Sequence, residues 1–147
     1  MAGSFAASVS RWVSETEQRI EAVRKQATQE VFEEARRPRG EGGKMRVDTG
    51  FLRNTAVASL SAMPPIDKNA RPVPGQSYKD NSSAIALIIA QSKPGDTVYL
   101  GFVAAYSAER ELGARGQPPD AFARSAAEQW QSIVRRVSQR AQQRAGG

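Results

Sequence analysis

The sequence predicts an α+β domain, a small antiparallel sheet of about three to four strands packed against two long helices, with a short helix before the last one. Three observations lead there. Apolar residues recur at helical spacing over long stretches at both ends of the chain. Short apolar runs of strand length lie between them. Prolines, glycines and turn residues separate those runs.

The first stretch is 5–37. Phe5, Val9, Trp12, Val13, Ile20, Val23, Ala27, Val31 and Ala35 step mostly by three, four and seven, one stripe of an amphipathic helix. Ser4 is the expected N-cap, because a serine hydroxyl accepts from an orphan backbone N–H. Glu15–Arg19 and Glu21–Lys25 attract one turn apart, and Glu17–Glu21 repel. Pro38 and Gly40 stop the helix.

A glycine-rich basic loop follows from Pro38 to Val47. In Asp48-Thr49-Gly50-Phe51-Leu52-Arg53, Asp48 or Thr49 caps a helical turn that Phe51 and Leu52 anchor in the core. Gly50 provides a tight bend. Thr55–Ala62 is a strand. The segment 63–82 holds four of the eight prolines and reads as a long loop, either functional or disordered, and a candidate for ordering on assembly. Ser83–Gln91 reads as a strand and Thr97–Val103 as its return, joined through Lys93-Pro94-Gly95-Asp96 into a hairpin. Ala105–Leu112 is a short helix that Gly113 ends. The last helix is 120–143, capped by Asp120, with Phe122, Ala126, Trp130, Ile133, Val134, Val137 and Ala141 as its stripe.

The 147 residues, 39% hydrophobic, suffice for one domain, 1–147, with a buried core. The chain has no cysteine and no histidine. That excludes disulfides, Cys/His zinc sites, thiol nucleophiles and any Ser-His or Cys-His relay. No apolar run approaches the roughly 20 residues that cross a bilayer. The N-terminus lacks a basic head followed by an apolar stretch, so a soluble cytosolic product without a signal peptide is expected.

Net charge is +6. Residues 1–37 carry six basic and six acidic side chains, 38–120 ten and eight, and 121–147 five and one. The excess lies at the C-terminal end and suits an acidic partner. Arg135, Arg136, Arg140 and Arg144 form either a solvated polar face or a contact for phosphates or an acidic neighbour. Aromatic content is only 7%, and acidic side chains interleave the first helix, so base stacking has little support.

Gly40-Glu41-Gly42-Gly43-Lys44 is not a phosphate loop. Pro38 stands where the first glycine is needed, and Met45 stands where Ser or Thr would hold magnesium. Glu109 and Glu111 sit two apart on a helix and face different ways. No local spacing brings together the three or more oxygens of a carboxylate metal site. Catalytic residues, cofactor and metal are expected to be none, and the chain is read as not an enzyme.

Three patches stand in order behind the first helix. They are Val47-Asp48-Thr49-Gly50-Phe51-Leu52-Arg53-Asn54-Thr55, then Tyr106 with Glu111 and Gly113 at Tyr-x-x-x-x-Glu-x-Gly, then Phe122-Ala123-Arg124-Ser125-Ala126. Together they resemble the tail-completion and tail-terminator family of long-tailed bacteriophages, whose members are often described as minor tail or head–tail joining proteins. The resemblance spans roughly residues 5–140. Ser107 stands where the family usually has alanine, Arg110 where an aliphatic residue is common, and Ala121 where proline often opens the last helix.

The resemblance implies a structural virion protein of the phage neck, assembled in the host cytoplasm. It implies a homo-oligomeric ring, typically hexameric, that ends the tail tube. Tail tube protein and head–tail connector protein are the implied partners, with transient DNA contact in the channel and no membrane. Asp48, Thr49, Gly50, Arg53, Tyr106, Glu111, Gly113, Arg135 and Arg136 are the interface candidates. For Tyr106, Glu111 and Gly113 the plainer role is helix packing and a C-cap, while Glu111 could instead pair with an arginine of the next subunit. Two other roles stand beside the terminator: another neck component such as a stopper or adaptor, and a basic nucleic-acid-binding module.

Overall fold

The computed structural model describes residues 2–145. The protein is α+β and mostly helical. In chain order it has α1 (Ala2–Arg36), a 3-10 turn (Arg39–Glu41), α2 (Phe51–Asn54), β1 (Ala56–Ser59), α3 (Ser82–Gln91), β2 (Tyr99–Phe102), α4 (Ser107–Leu112), α5 (Phe122–Glu128) and α6 (Trp130–Ala145).

No glycine or proline interrupts the chain between Ser4 and Arg37, so α1 runs about 52 Å. The helix starts at Ala2, which places the expected cap Ser4 inside it. It ends where Pro38 forbids helical geometry to the residue before it. The chain then doubles back: Arg39 N–H donates to Met45 O at 2.9 Å and Gly43 N–H to Pro38 O at 2.9 Å. A Cβ on Gly43 would lie 1.9 Å from the Arg37 carbonyl oxygen, so only glycine fits there.

Ser83–Gln91 is not a strand. It lies in the helix α3, and the expected 93–96 hairpin does not form. An unbroken apolar run carries no period of its own. Its alanines favour helix, and Ile85 and Ile89, four apart, are the buried pair while Leu87 faces out. The turn itself exists, with Asp96 N–H donating to Lys93 O at 3.0 Å, but it joins α3 to β2. The expected sheet of three to four strands is therefore, among the described residues, a two-stranded one. β1 pairs antiparallel with β2, Ala56 opposite Phe102 and Ser59 opposite Tyr99.

The expected last helix is divided at Gln129 into α5 and α6. Asp120 does not cap it. Ala121, at φ 53°, turns the chain into α5 instead.

Three clusters make the core. Ile133 and Val137 of α6 pack on Ala27 of α1, flanked by Val23, Val31 and Val134. Ala56, Ala58, Ile85 and Ile89 join the sheet to α3. Met45, Leu52, Ala104 and Phe122 form the third. Gln129 Nε2 reaches Glu34 Oε1 at 3.3 Å, and Arg136 Nη2 reaches Glu30 Oε1 at 3.4 Å. α6 thus runs antiparallel to α1 and ends beside Ile20, so the N-terminal half of α1 lies beyond it.

Arg36, 0% exposed, is the largest buried side chain. Its Nε donates to Arg53 O at 3.2 Å, and Arg53 Nε donates to Arg36 O at 3.0 Å. Nη1 donates to Glu33 Oε1 at 3.0 Å and Ser82 Oγ at 2.9 Å. Nη2 reaches Asn54 Oδ1, Asp80 Oδ1 and Asn81 Oδ1. One guanidinium thereby ties the end of α1 to α2 and to the entry of α3.

Replacing Arg36 with Met should lower the unfolding free energy by about 1–3 kcal/mol, because part-buried acceptors such as Asn54 and Asn81 lose their donor while Asp80 and Glu33 remain open to water, read as a fall in urea midpoint. Hydrogen bonds from Ser82 and Arg36 lower the Asp80 carboxyl from 3.8 to about 2. A depressed folded-state pKa contributes stability above pH 3.8 that is lost as pH falls through about 2. Asp80→Asn should flatten that part of the acid limb in a stability-versus-pH series.

Candidate functional site

The three sequence patches meet at the Met45 cluster. Leu52 comes from the first, Tyr106 packs from the second, and Phe122 comes from the third. Phe102 and Phe122 stack edge-on at 4.9 Å between centroids, as do Phe51 and Tyr78 at 5.0 Å. Phe51 and Tyr106 lie 6.3 Å apart, tilted 42°. Each such pair adds about 0.5–1.5 kcal/mol beyond its burial.

Above this aromatic floor opens a groove of about 520 Å³. Asp48, Thr49, Gly50, Arg53 and Tyr106, five of the nine candidates, line it. Arg46, Arg110 and Arg115 add positive charge, against Glu109 and Asp48. Arg115 lies 3.8 Å from Glu109. Gly50 makes the expected bend at φ 83°. Neither Asp48 nor Thr49 is the N-cap of α2, which is Gly50; Thr49 Oγ1, one residue earlier, accepts from Phe51 N–H at 3.2 Å. Burial pushes the Tyr106 phenol above its ordinary value.

Glu111 turns away from the groove. Its carboxylate accepts from Ala123 N–H at 2.9 Å and Arg124 N–H at 3.0 Å, and so caps α5 from another helix. This is the packing role for Glu111, made within the chain. Gly113 ends α4 at φ 82°, ψ 146°, a conformation nearly confined to glycine. A Cβ there would meet Gln117 O and Pro119 N, both at 2.9 Å.

Arg135 and Arg136 lie apart from the groove, exposed on α6. Arg136 and Arg140 both pair with Glu30 of α1, so part of the basic run is an intrachain tie. Arg135 has no such pair among the described residues.

Two buried charges were not legible as site residues. Asp120 is 3% exposed and accepts from Arg46 N–H at 3.3 Å and Arg46 Nε at 2.5 Å, with Arg39 Nη2 at 3.4 Å. Its place before an apolar stripe looks like an N-cap, and nothing local marks Arg46 as its partner. Arg36 looks like one more basic residue in a last helical turn. Among the described residues no group of three His, Cys, Asp or Glu side chains converges to hold a metal. No described helix is long and apolar enough to cross a membrane.

Comparison with protein-family models, curated proteins and solved structures gives no match.

Glu111→Ala should cost about 1 kcal/mol, as helix caps do, and speed amide exchange at Ala123 and Arg124 measured by NMR. Gly113→Ala should cost more, because strain at φ 82° adds to the contact with Gln117 and Pro119. Urea midpoints of the two variants give the order.

Proposed function

We propose that this chain is a structural protein of a bacteriophage neck, forming a ring that terminates the tail tube and joins it to the head connector. One observation carries the reading. The three patches that resemble the tail-terminator family are distant in sequence, yet all three share one core cluster, and the second and third share one helix cap. Residues 48–53 and Tyr106 share one groove wall, an arrangement suited to an interface that separate turns build together. Function on this reading lies in surfaces. The groove presents arginines and aromatic edges with no histidine or cysteine beside them.

A second reading within the neck is favoured by the helical character of the fold. A terminator meets tube subunits at a sheet edge, and an adaptor against the portal is usually more helical. With two four-residue strands and long α1 and α6, the adaptor gains weight. The nucleic-acid module loses weight, because Arg136 and Arg140 are held by Glu30.

Particles assembled without the chain should show separated heads and tails under negative stain. Tails of irregular length assign the terminator, and tails of normal length assign the adaptor. Joined, normal-length tails overturn both. Arg135→Glu with Arg136→Glu should leave DNA retention in a gel-shift series unchanged, whereas a salt-sensitive loss of binding would bring the nucleic-acid module back.

A further inference from the structure

The groove above the Met45 cluster holds a charge that the chain itself does not satisfy. Three of its four arginines have acceptors. Arg46 is spent on Asp120, Gln117 and the Pro118 carbonyl. Arg53 donates to the Arg36 carbonyl and stands 4.0 Å from Asp80. Arg115 lies 3.8 Å from Glu109. Arg110, half-buried in the same wall, has no hydrogen bond or ion pair to its guanidinium among the described residues. A guanidinium carries five donors and no acceptor, so burying it in part without a partner costs hydration that nothing replaces. Asp48 is the opposing charge. Burial raises the Tyr106 phenol, Arg110 lowers it and Asp48 raises it, so both charges stand near that hydroxyl without pairing with each other.

Two features of the wall suit a peptide. Val47 and Asp48 line the groove, are exposed, and belong to neither helix nor strand. Among the described residues their backbone N–H and C=O groups have no partner. A second main chain laid along them finds donors and acceptors at hand. Beside them Phe51, Pro72 and Tyr106 stand half-buried, an apolar seat for one side chain.

Arg115 reaches the rim on an unfavourable turn. Gln117 N–H donates to Ala114 O at 2.9 Å, and the two residues between, Arg115 and Gly116, both sit at positive φ, 51° and 79°. Such a turn favours asparagine or glycine at its first central position. An arginine there is strained, and its side chain is 85% exposed. The turn holds a cation out over the groove at the expense of local stability.

We propose that this groove receives an acidic peptide segment of a protein partner. A carboxylate of the segment lies on Arg110, with Arg115 at the rim as a second cation. An apolar side chain seats on Phe51 and Tyr106, and the main chain of the segment pairs with Val47 and Asp48. Charge selects the partner. With four arginines against Asp48 and Glu109, the wall draws in an acidic segment and repels a basic one. The inference deepens the reading of this groove as an interface and rests on that reading, though not on the phage neck.

The test is an NMR titration of the isotope-labelled full chain with short blocked peptides. One pool carries Asp and Glu around a single leucine or phenylalanine. The control pool carries Lys and Arg in place of the acids. At millimolar peptide the acidic pool should move the amide signals of Val47, Asp48 and Gly50 and the Nε–H signal of Arg110, and the basic pool should not. Arg110→Gln should weaken the acidic pool about tenfold, the loss of one charge-assisted contact. Asp48→Asn should tighten it a few-fold, because a repelling charge is gone. Loss of packing alone would not give these opposite signs. If Arg110→Gln loses its far-UV circular dichroism, Arg115→Gln on the exposed turn replaces it, with a few-fold loss expected.

An acidic pool that moves none of these signals overturns the inference. So do shifts confined to Arg135 and Arg136 on α6, and so does an unchanged affinity in a folded Arg110→Gln chain. Equal shifts from inorganic phosphate alone also overturn it, since the groove would then hold a free anion. Failure here leaves the neck reading to its own test on particles, where no peptide is added.

Discussion

The fold depends on how one buried cation is satisfied. Arg36 is enclosed at the point where α1, α2 and the entry of α3 meet, and its donors reach acceptors on all three. A guanidinium in a low-dielectric interior is costly unless every donor is used. No side-chain nitrogen or oxygen among the described residues is left buried without a partner. The requirement constrains the neighbours in turn. Asn81 must face inward, and its own amide then donates to Ala56 O, which sets the start of β1. The proline-rich segment returns to the core through Asp80 and through the Tyr78 carbonyl, which accepts from Asn54. A loop that cannot bury itself is pinned at its end by a charge that cannot be left alone.

Part of this was legible in the chain. The first helix follows from periodicity, whereas the stripe over 120–143 gives no sign of the break at Gln129 that divides it into α5 and α6. The turn at Gly50, the end of α4 at Gly113 and the aromatic anchors Phe51 and Phe122 follow from local chemistry. The α3 segment passes for a strand when its sheet partner is inferred from nearness in sequence. The apolar run of seven residues from Ala84 to Ala90 fits a strand or a buried helix equally well. The decision lies in its alanines and in the partner β1 finds in β2, forty or more residues away.

The candidate site divides in the same way. Residues 48–53 and Tyr106 converge because turn chemistry and apolar anchors are local signals. Glu111 stands out by its spacing from Tyr106 and Gly113, but its role as a cap on α5 depends on a tertiary turn around Asp120 that no spacing reveals. The ion pair between Asp120 and Arg46 joins residues 74 apart. Pairings of this kind are set by the finished fold, and residue type alone leaves them open. The basic run on α6 shows the opposite error. Its charges stand out in composition, yet Glu30 of α1 already engages two of them.

The pairing of the first helix with the last has a consequence for the chain's birth. α1 emerges from the ribosome about a hundred residues before the α6 face that covers Val23, Ala27 and Val31. At roughly 5–20 residues per second, the stripe waits several seconds for its cover. During that interval the nascent chain presents its longest apolar surface to its surroundings, including sibling chains on the same message. Its tendency to misassociate is therefore set by the order of synthesis as well as by the finished surface, and a chain truncated before residue 130 would never leave that condition.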